Sequence, residues 1–152
     1  MSEIEAKFIE TSDQEIRPMN FWPAMVIPRQ QIENEIQNLA DRDRPANGRR
    51  MTSIVHPCST EPGLGLAPGI DVTINFLKPG EENVPLRRNS NQIVMCIKGE
   101  GRAVIGDTEL AFERFDVWNT PSMVNYRYRN DGKELCAFLS YSNAPLLEKL
   151  EV

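Results

Sequence analysis

Two short stretches carry the residue types from which a small-molecule site could be built: Leu86-Arg87-Arg88 with Gln92 close behind, and Tyr126-Arg127-Tyr128-Arg129. A guanidinium is a permanent cation with donors only, in a planar fork that matches a carboxylate. A phenol adds an apolar ring and a hydroxyl that can donate or accept. The residues that hold metals are scarce by comparison. The sequence has a single histidine, His56, placed before Pro57, and its three cysteines (Cys58, Cys96 and Cys136) form no C-x-x-C. Biological iron and zinc sites normally take three or more His, Cys or carboxylate ligands. The remaining candidates, Glu81, Glu82, His56 and Cys58, have no spacing that puts them on one face. No Ser-His-Asp arrangement can be built on one histidine next to a proline. The expectation is therefore no metal and no cofactor.

These stretches sit in a chain of 152 residues with a formal net charge of −5. That length suits one domain with its own core, and the charge has the wrong sign for a general nucleic-acid binder. By strand alternation, about half of the clustered arginines should lie on solvated faces. The odd cysteine count, with Cys96 and Cys136 inside apolar runs, reads as small buried thiols in a reducing compartment. The acidic opening MSEIEAKFIETSDQE has no apolar signal core, and no apolar run approaches a membrane span. A cytoplasmic protein without nucleic-acid or membrane partners is expected.

The elements that must position the site can be read in order. Residues 1–20 form a polar arm. Phe21-Trp22-Pro23 with Met25-Val26-Ile27 is an apolar patch that anchors the arm or is covered by a second subunit. Ile32, Ile36 and Leu39 recur at helical spacing between Pro28 and Pro45, which predicts one short amphipathic helix. After the turn Ala46-Asn47-Gly48, strands are expected over 49–55, 71–77, 92–97, 102–105, 109–112, 116–118, 124–129 and 135–141. A Gly/Pro-rich loop covers 58–69. Gly106-Asp107 and Asp131-Gly132 are the expected hairpin tips, and Gly99, Gly101 and Gly106 are expected at positive φ. Trp22, Phe112, Phe115, Trp118 and Phe138 are assigned to the core or to a subunit contact. Many short, regularly spaced strands with little helix predict an all-β sandwich or barrel.

The order of pieces in Phe76–Thr120 resembles a cupin, the jelly-roll double-stranded β-helix. It has a P-G-E opening (Pro79-Gly80-Glu81), a G-E-G turn (Gly99-Glu100-Gly101), then a strand leading to T-P-S (Thr120-Pro121-Ser122). It is most similar to one half of the two-barrel ring-cleaving dioxygenases of the gentisate 1,2-dioxygenase group. The tail Asn143-Ala144-Pro145-Leu146-Leu147-Glu148 resembles that group's D-x-P-L-x-E ending, so the likeness covers roughly residues 49–150. The group carries H-x-H before the G-E-G turn and W-x-W-H-x-H after T-P-S. Ungapped matching puts Leu86 and Arg88 at the first pair of histidines, Gln92 where many cupins place a glutamate ligand, and Tyr126 and Tyr128 at the second pair.

The resemblance thus implies a barrel over 49–152 behind an arm and helix over 1–48, with Arg88, Gln92, Tyr126 and Tyr128 facing the lumen in place of an iron site. Such a lumen suits a small anionic or aromatic carboxylate, with the guanidinium on the anion and the rings lining a pocket. Arg88 could instead turn outward, or pair with Glu100 or Asp116 in a filled barrel. Tyr126 is the candidate general acid or base, since a nearby cation favours phenolate. Two other functions compete with ligand binding. One is catalysis, either as a dioxygenase with unusual ligands or as a metal-independent isomerase or lyase. The other is a scaffold or partner subunit. A homodimer is expected because cupin barrels commonly pair.

Overall fold

Alternation along the strands sorts the side chains into an outer layer and a barrel interior. In the strand Asp71–Leu77, Ile74 and Phe76 join Ile36 and Leu39 of the helix in an outer apolar cluster. Leu77 faces the other way, into the inner cluster. The structure is a computed structural model that describes residues 5–8, 10, 12, 22–59 and 65–149. Most of the expected arm, Phe21 of the apolar patch and the middle of the 58–69 loop lie outside the described residues. The elements in chain order are α1 (Arg29–Asp41), β1 (Arg50–Ile54), β2 (Asp71–Leu77), β3 (Gln92–Lys98), β4 (Glu100–Ile105), β5 (Thr108–Glu113), β6 (Val117–Thr120), β7 (Tyr126–Arg129), β8 (Cys136–Ser142) and α2 (Ala144–Lys149).

Two antiparallel sheets face each other, one in the order β1-β2-β8-β3-β6 and one in the order β5-β4-β7. Between them Phe112 stacks on Trp118 at 4.3 Å between centroids, and Tyr128 meets Phe138 edge-on at 4.9 Å. Cys96 and Cys136 are fully buried in the same layer. The segment after β2 adds to the second sheet. Glu82 bridges Arg129 and Leu86 bridges Tyr126, but Pro85 between them has no N–H to donate, which keeps the run from pairing as a regular strand. Helix α1 covers the outer face of β1 and β2, and its cluster reaches Ala137 of β8. Ile93, Val117 and Tyr141 lie exposed on the uncovered part of that face. No helix among the described residues is long and apolar enough to cross a membrane.

The all-β barrel with one short leading helix matches the reading of the sequence, with four corrections. Asp131-Gly132 is not a hairpin tip, because β7 and β8 belong to different sheets and the turn carries the chain across the barrel. Gly101 has no positive φ, unlike Gly99 and Gly106. It is needed for space, since a Cβ there would sit 2.6 Å from the Arg129 carbonyl oxygen and 2.7 Å from the Phe112 ring. Phe115 is 64% exposed, so of its two assignments the core one fails and the subunit contact stays open. The tail after Asn143 is a short helix, α2, where no helix was expected.

A long-range clamp holds α1 to the barrel. Arg50, 6% exposed, donates to the carbonyls of Leu39 and Arg42 at the end of the helix and pairs with Glu81 at 3.3 Å. This satisfies C-terminal carbonyls that the helix itself cannot.

The turn glycines give a test of what the strand crossings tolerate. Gly99 and Gly80 share positive φ values of 76 and 80, but a Cβ on Gly80 meets nothing within 4 Å while one on Gly99 would lie 2.2 Å from the Leu135 carbonyl oxygen. In urea unfolding Gly80→Ala should cost about 1–2 kcal/mol, and Gly99→Ala more than about 3 kcal/mol. Equal losses would show that the β3–β4 crossing relaxes freely.

Candidate ligand-binding site

Beside the stacked aromatic core the barrel interior is left open. A cavity of about 30 Å3 is lined by Arg88, Gln92, Tyr126 and Tyr128, so the four lumen residues expected from the sequence come together. The bridge between Leu86 and Tyr126 sets their parity. Its two backbone hydrogen bonds, 2.9 and 2.8 Å, turn Leu86 and Arg88 toward the cavity and leave Arg87 exposed. Asn83 locks the neighbouring step, its side-chain oxygen accepting the Tyr128 N–H at 2.6 Å.

Gln92 Nε2 donates to the Tyr126 hydroxyl at 3.0 Å, leaving the phenol hydrogen free to donate elsewhere. The Tyr128 hydroxyl pairs with Thr120 Oγ1 at 2.9 Å. Burial pushes the Tyr128 phenol well above its ordinary value, partly offset by that bond. Tyr128 is therefore a neutral hydroxyl and not a base. Arg88 is half-buried, and among the described residues no carboxylate pairs with it, Glu100 and Asp116 included. The arginines on the outer face behave differently. Arg127 meets Glu82 at 2.7 Å and Arg129 meets Asp131 at 2.6 Å, as expected of solvated strand faces.

Several further lining residues were not singled out from the sequence, Arg49, Thr73, Asn75 and Ser140 among them. Arg49 stands just before β1, and its Nε is buried without a hydrogen-bond partner. Thr73 Oγ1 and Ser140 Oγ are hydrogen-bonded to each other, and Asn75 Nδ2 donates to both at 3.1 and 3.2 Å. Polar residues alternating with Val72, Ile74 and Phe76 in β2 were the available signal, since a strand with one apolar face outward must line something polar with the other.

No protein-family model matches the chain. A curated relative, the 1-hydroxy-2-naphthoate 1,2-dioxygenase of Nocardioides sp. (strain KP7), is 34% identical over 80 residues, which is 52% of this chain and 21% of that protein. The salicylate 1,2-dioxygenase of Pseudoaminobacter salicylatoxidans, solved as adducts with gentisate, superimposes with a TM-score of 0.70 at 17% identity, covering 91% of this chain and 40% of that one. Another structure of that enzyme gives a TM-score of 0.64 at 18% identity, with coverages of 80% and 34%. The barrel has the cupin fold of these ring-cleaving dioxygenases. This cupin chain spans a fifth of the length of the curated relative and less than half of the solved ones.

The family resemblance implies iron on histidines, and the residues of this lumen do not fit that ion. A guanidinium repels a divalent metal, and both tyrosine hydroxyls are engaged with Gln92 and Thr120. Among the described residues no three His, Cys, Asp or Glu side chains gather to hold a metal. His56 is committed on both nitrogens. Nε2 donates to the Pro23 carbonyl at 2.8 Å and Nδ1 accepts the Cys58 N–H at 3.0 Å, under a stacked Trp22. Glu82 is paired with Arg127, and Glu81 with Arg50 and Arg44.

Glu81 is a clamp rather than a ligand, and that predicts a pH response. Burial alone would raise its carboxyl. The Lys78 N–H, the Arg50 hydrogen bond and the Arg50 and Arg44 charges outweigh this and hold it below the ordinary 4.5. A carboxyl depressed by folding contributes stability that is complete above its unfolded value and is lost as pH falls through the folded one. In urea unfolding, Glu81→Gln should therefore be less stable than the parent at pH 7, and the gap should close as the pH falls below 4.5. A gap that stays constant would mean the carboxylate charge contributes nothing.

Proposed function

We propose that this chain is a cupin barrel that has exchanged the metal ligands of its dioxygenase relatives for a carboxylate-binding lumen. The observation that carries this reading is Arg88: a guanidinium lining the cavity with no carboxylate partner among the described residues. A half-buried cation of this kind binds an anion strongly when the anion brings two oxygens to the fork. Arg49 lines the same cavity, and the Tyr126 O–H is a further donor at its wall. The three together neutralise and orient a carboxylate without a metal. The ligand is held, not oxidised, because the chemistry of ring cleavage needs an oxygen-binding centre that these side chains do not supply.

The test is a calorimetric titration of the protein with a panel of aliphatic and aromatic carboxylates. Arg88→Gln should weaken binding by about 10- to 100-fold, the loss expected when one member of a charge-assisted pair is removed at a partly solvated site. The exposed neighbour provides the control, and Arg87→Gln should bind as the parent does. Equal affinities of the parent and Arg88→Gln would sink the proposal.

A further inference from the structure

Two buried cysteines that the carboxylate site does not use lie side by side in the inner layer. Cys96 of β3 and Cys136 of β8 are both fully buried in the same apolar cluster. Cys96 stands opposite Phe138, and β3 shifts register between Cys96 and Lys98. Cys136 lies two residues before Phe138, on the same face and diagonal to Cys96. The crossing at Gly99 brings the two together. Cys96 Sγ donates to the Lys98 carbonyl at 3.4 Å and lies 3.5 Å from the Gly99 carbonyl oxygen. A Cβ on Gly99 would in turn sit 3.1 Å from Cys136 Cα. The interaction between the thiols is the largest influence on the acidity of each. It holds Cys96 below the ordinary thiol range against the effect of burial, and with burial it pushes Cys136 above that range. We propose that Cys96 and Cys136 form a modification site, a thiol pair that a hydroperoxide converts to a disulfide between β3 and β8.

The step balances between two thiols and one hydrogen peroxide. The Cys96 sulfur attacks a peroxide oxygen, the O–O bond breaks, and Cys96 becomes a sulfenic acid as one water leaves. Cys96 attacks first because its neighbour favours its thiolate. The Cys136 sulfur then attacks the Cys96 sulfur. An S–S bond forms, the S–O bond breaks and a second water leaves. The two thiol hydrogens depart in the two waters, and the peroxide takes up both electrons. Complete burial shuts out bulky reagents, so the oxidant must be of water size, as hydrogen peroxide is. Leu77 and Phe138 belong to the thiols' cluster and also line the cavity, which gives such a molecule its approach. The bond ties together the strands that carry Gln92, Phe138 and Ser140 of the cavity wall. It needs no anion in the cavity, so it stands apart from the carboxylate reading.

Hydrogen peroxide added to the folded full chain carrying Cys58→Ser tests this, since Cys58 is exposed and would react on its own. The intact mass should fall by two hydrogens per chain, and unreduced peptide mapping should join Cys96 to Cys136. The oxidised chain should unfold about 5–10 °C higher, and dithiothreitol should reverse the gain. In the same background, Cys136→Ser should stop at a Cys96 sulfenic acid that dimedone captures. The first arm changes nothing in the core, so it decides even where that variant does not fold. Both thiols left untouched by peroxide would overturn the proposal. So would sulfinic or sulfonic acid on either cysteine without a crosslink. A crosslink that lowers the unfolding temperature would show that the barrel has to distort to form it, and would overturn the preplaced pair.

Discussion

A guanidinium that faces a cavity without a counter-charge is the constraint around which this barrel is arranged. Desolvating a cation is expensive unless something repays it, and three carboxylates of the barrel are committed elsewhere. Glu81 is tied to Arg50 and Arg44, Glu82 to Arg127, and Asp131 to Arg102 and Arg129. Arg88 and Arg49 are left at the cavity with hydroxyl, amide and phenol groups that carry no charge. The resemblance sets Leu86, Arg88, Tyr126 and Tyr128 at the positions of the metal-binding histidines. Here the protein's own side chains supply the positive charge.

The proposed exchange would have to be accepted by a frame that shares some of its residues with the lumen. The Phe112–Trp118 stack and the Tyr128–Phe138 contact fill the inner layer, and α1 seals the outer face of β1 and β2 through Ile36 and Leu39. The Arg50–Glu81 pair joins the end of the helix, the first strand and the turn after β2. Tyr128, Phe138 and Arg50 among these also line the cavity, so the frame and the site share residues. Gln92–Tyr126 and Thr120–Tyr128 then fix the rings at the cavity wall, so the site is preorganised by neutral hydrogen bonds.

Much of the barrel was legible because short strands, glycine turns and period-two alternation are local signals. Leu86, Arg88, Tyr126 and Tyr128 could be placed inward because each lies at a countable distance from a recognisable turn. Arg49, Thr73, Asn75 and Ser140 were missed for a different reason. They come from β2, β8 and the residue before β1, and only the packing of one sheet on the other brings those strands opposite β7 and Arg88. The same limit explains Asp131-Gly132. Its turn chemistry is readable, but whether a turn closes a hairpin or crosses between sheets depends on which strands pair. Gly101 is a related case, since the contact that demands glycine comes from Phe112 and Arg129, remote in the chain. Glu81 and His56 were visible as ligating types, yet their partners Arg50 and Pro23 are fixed only by folding.

The central claim is that side-chain cations have replaced a bound one, and iron itself tests it most directly. Protein purified without a histidine tag would be exposed to ferrous iron under anaerobic conditions, desalted, and assayed for metal by elemental analysis. The account predicts no retained iron and an unchanged unfolding temperature. One iron retained per chain, with a raised unfolding temperature, would contradict it and return the lumen to the oxygen chemistry of its relatives.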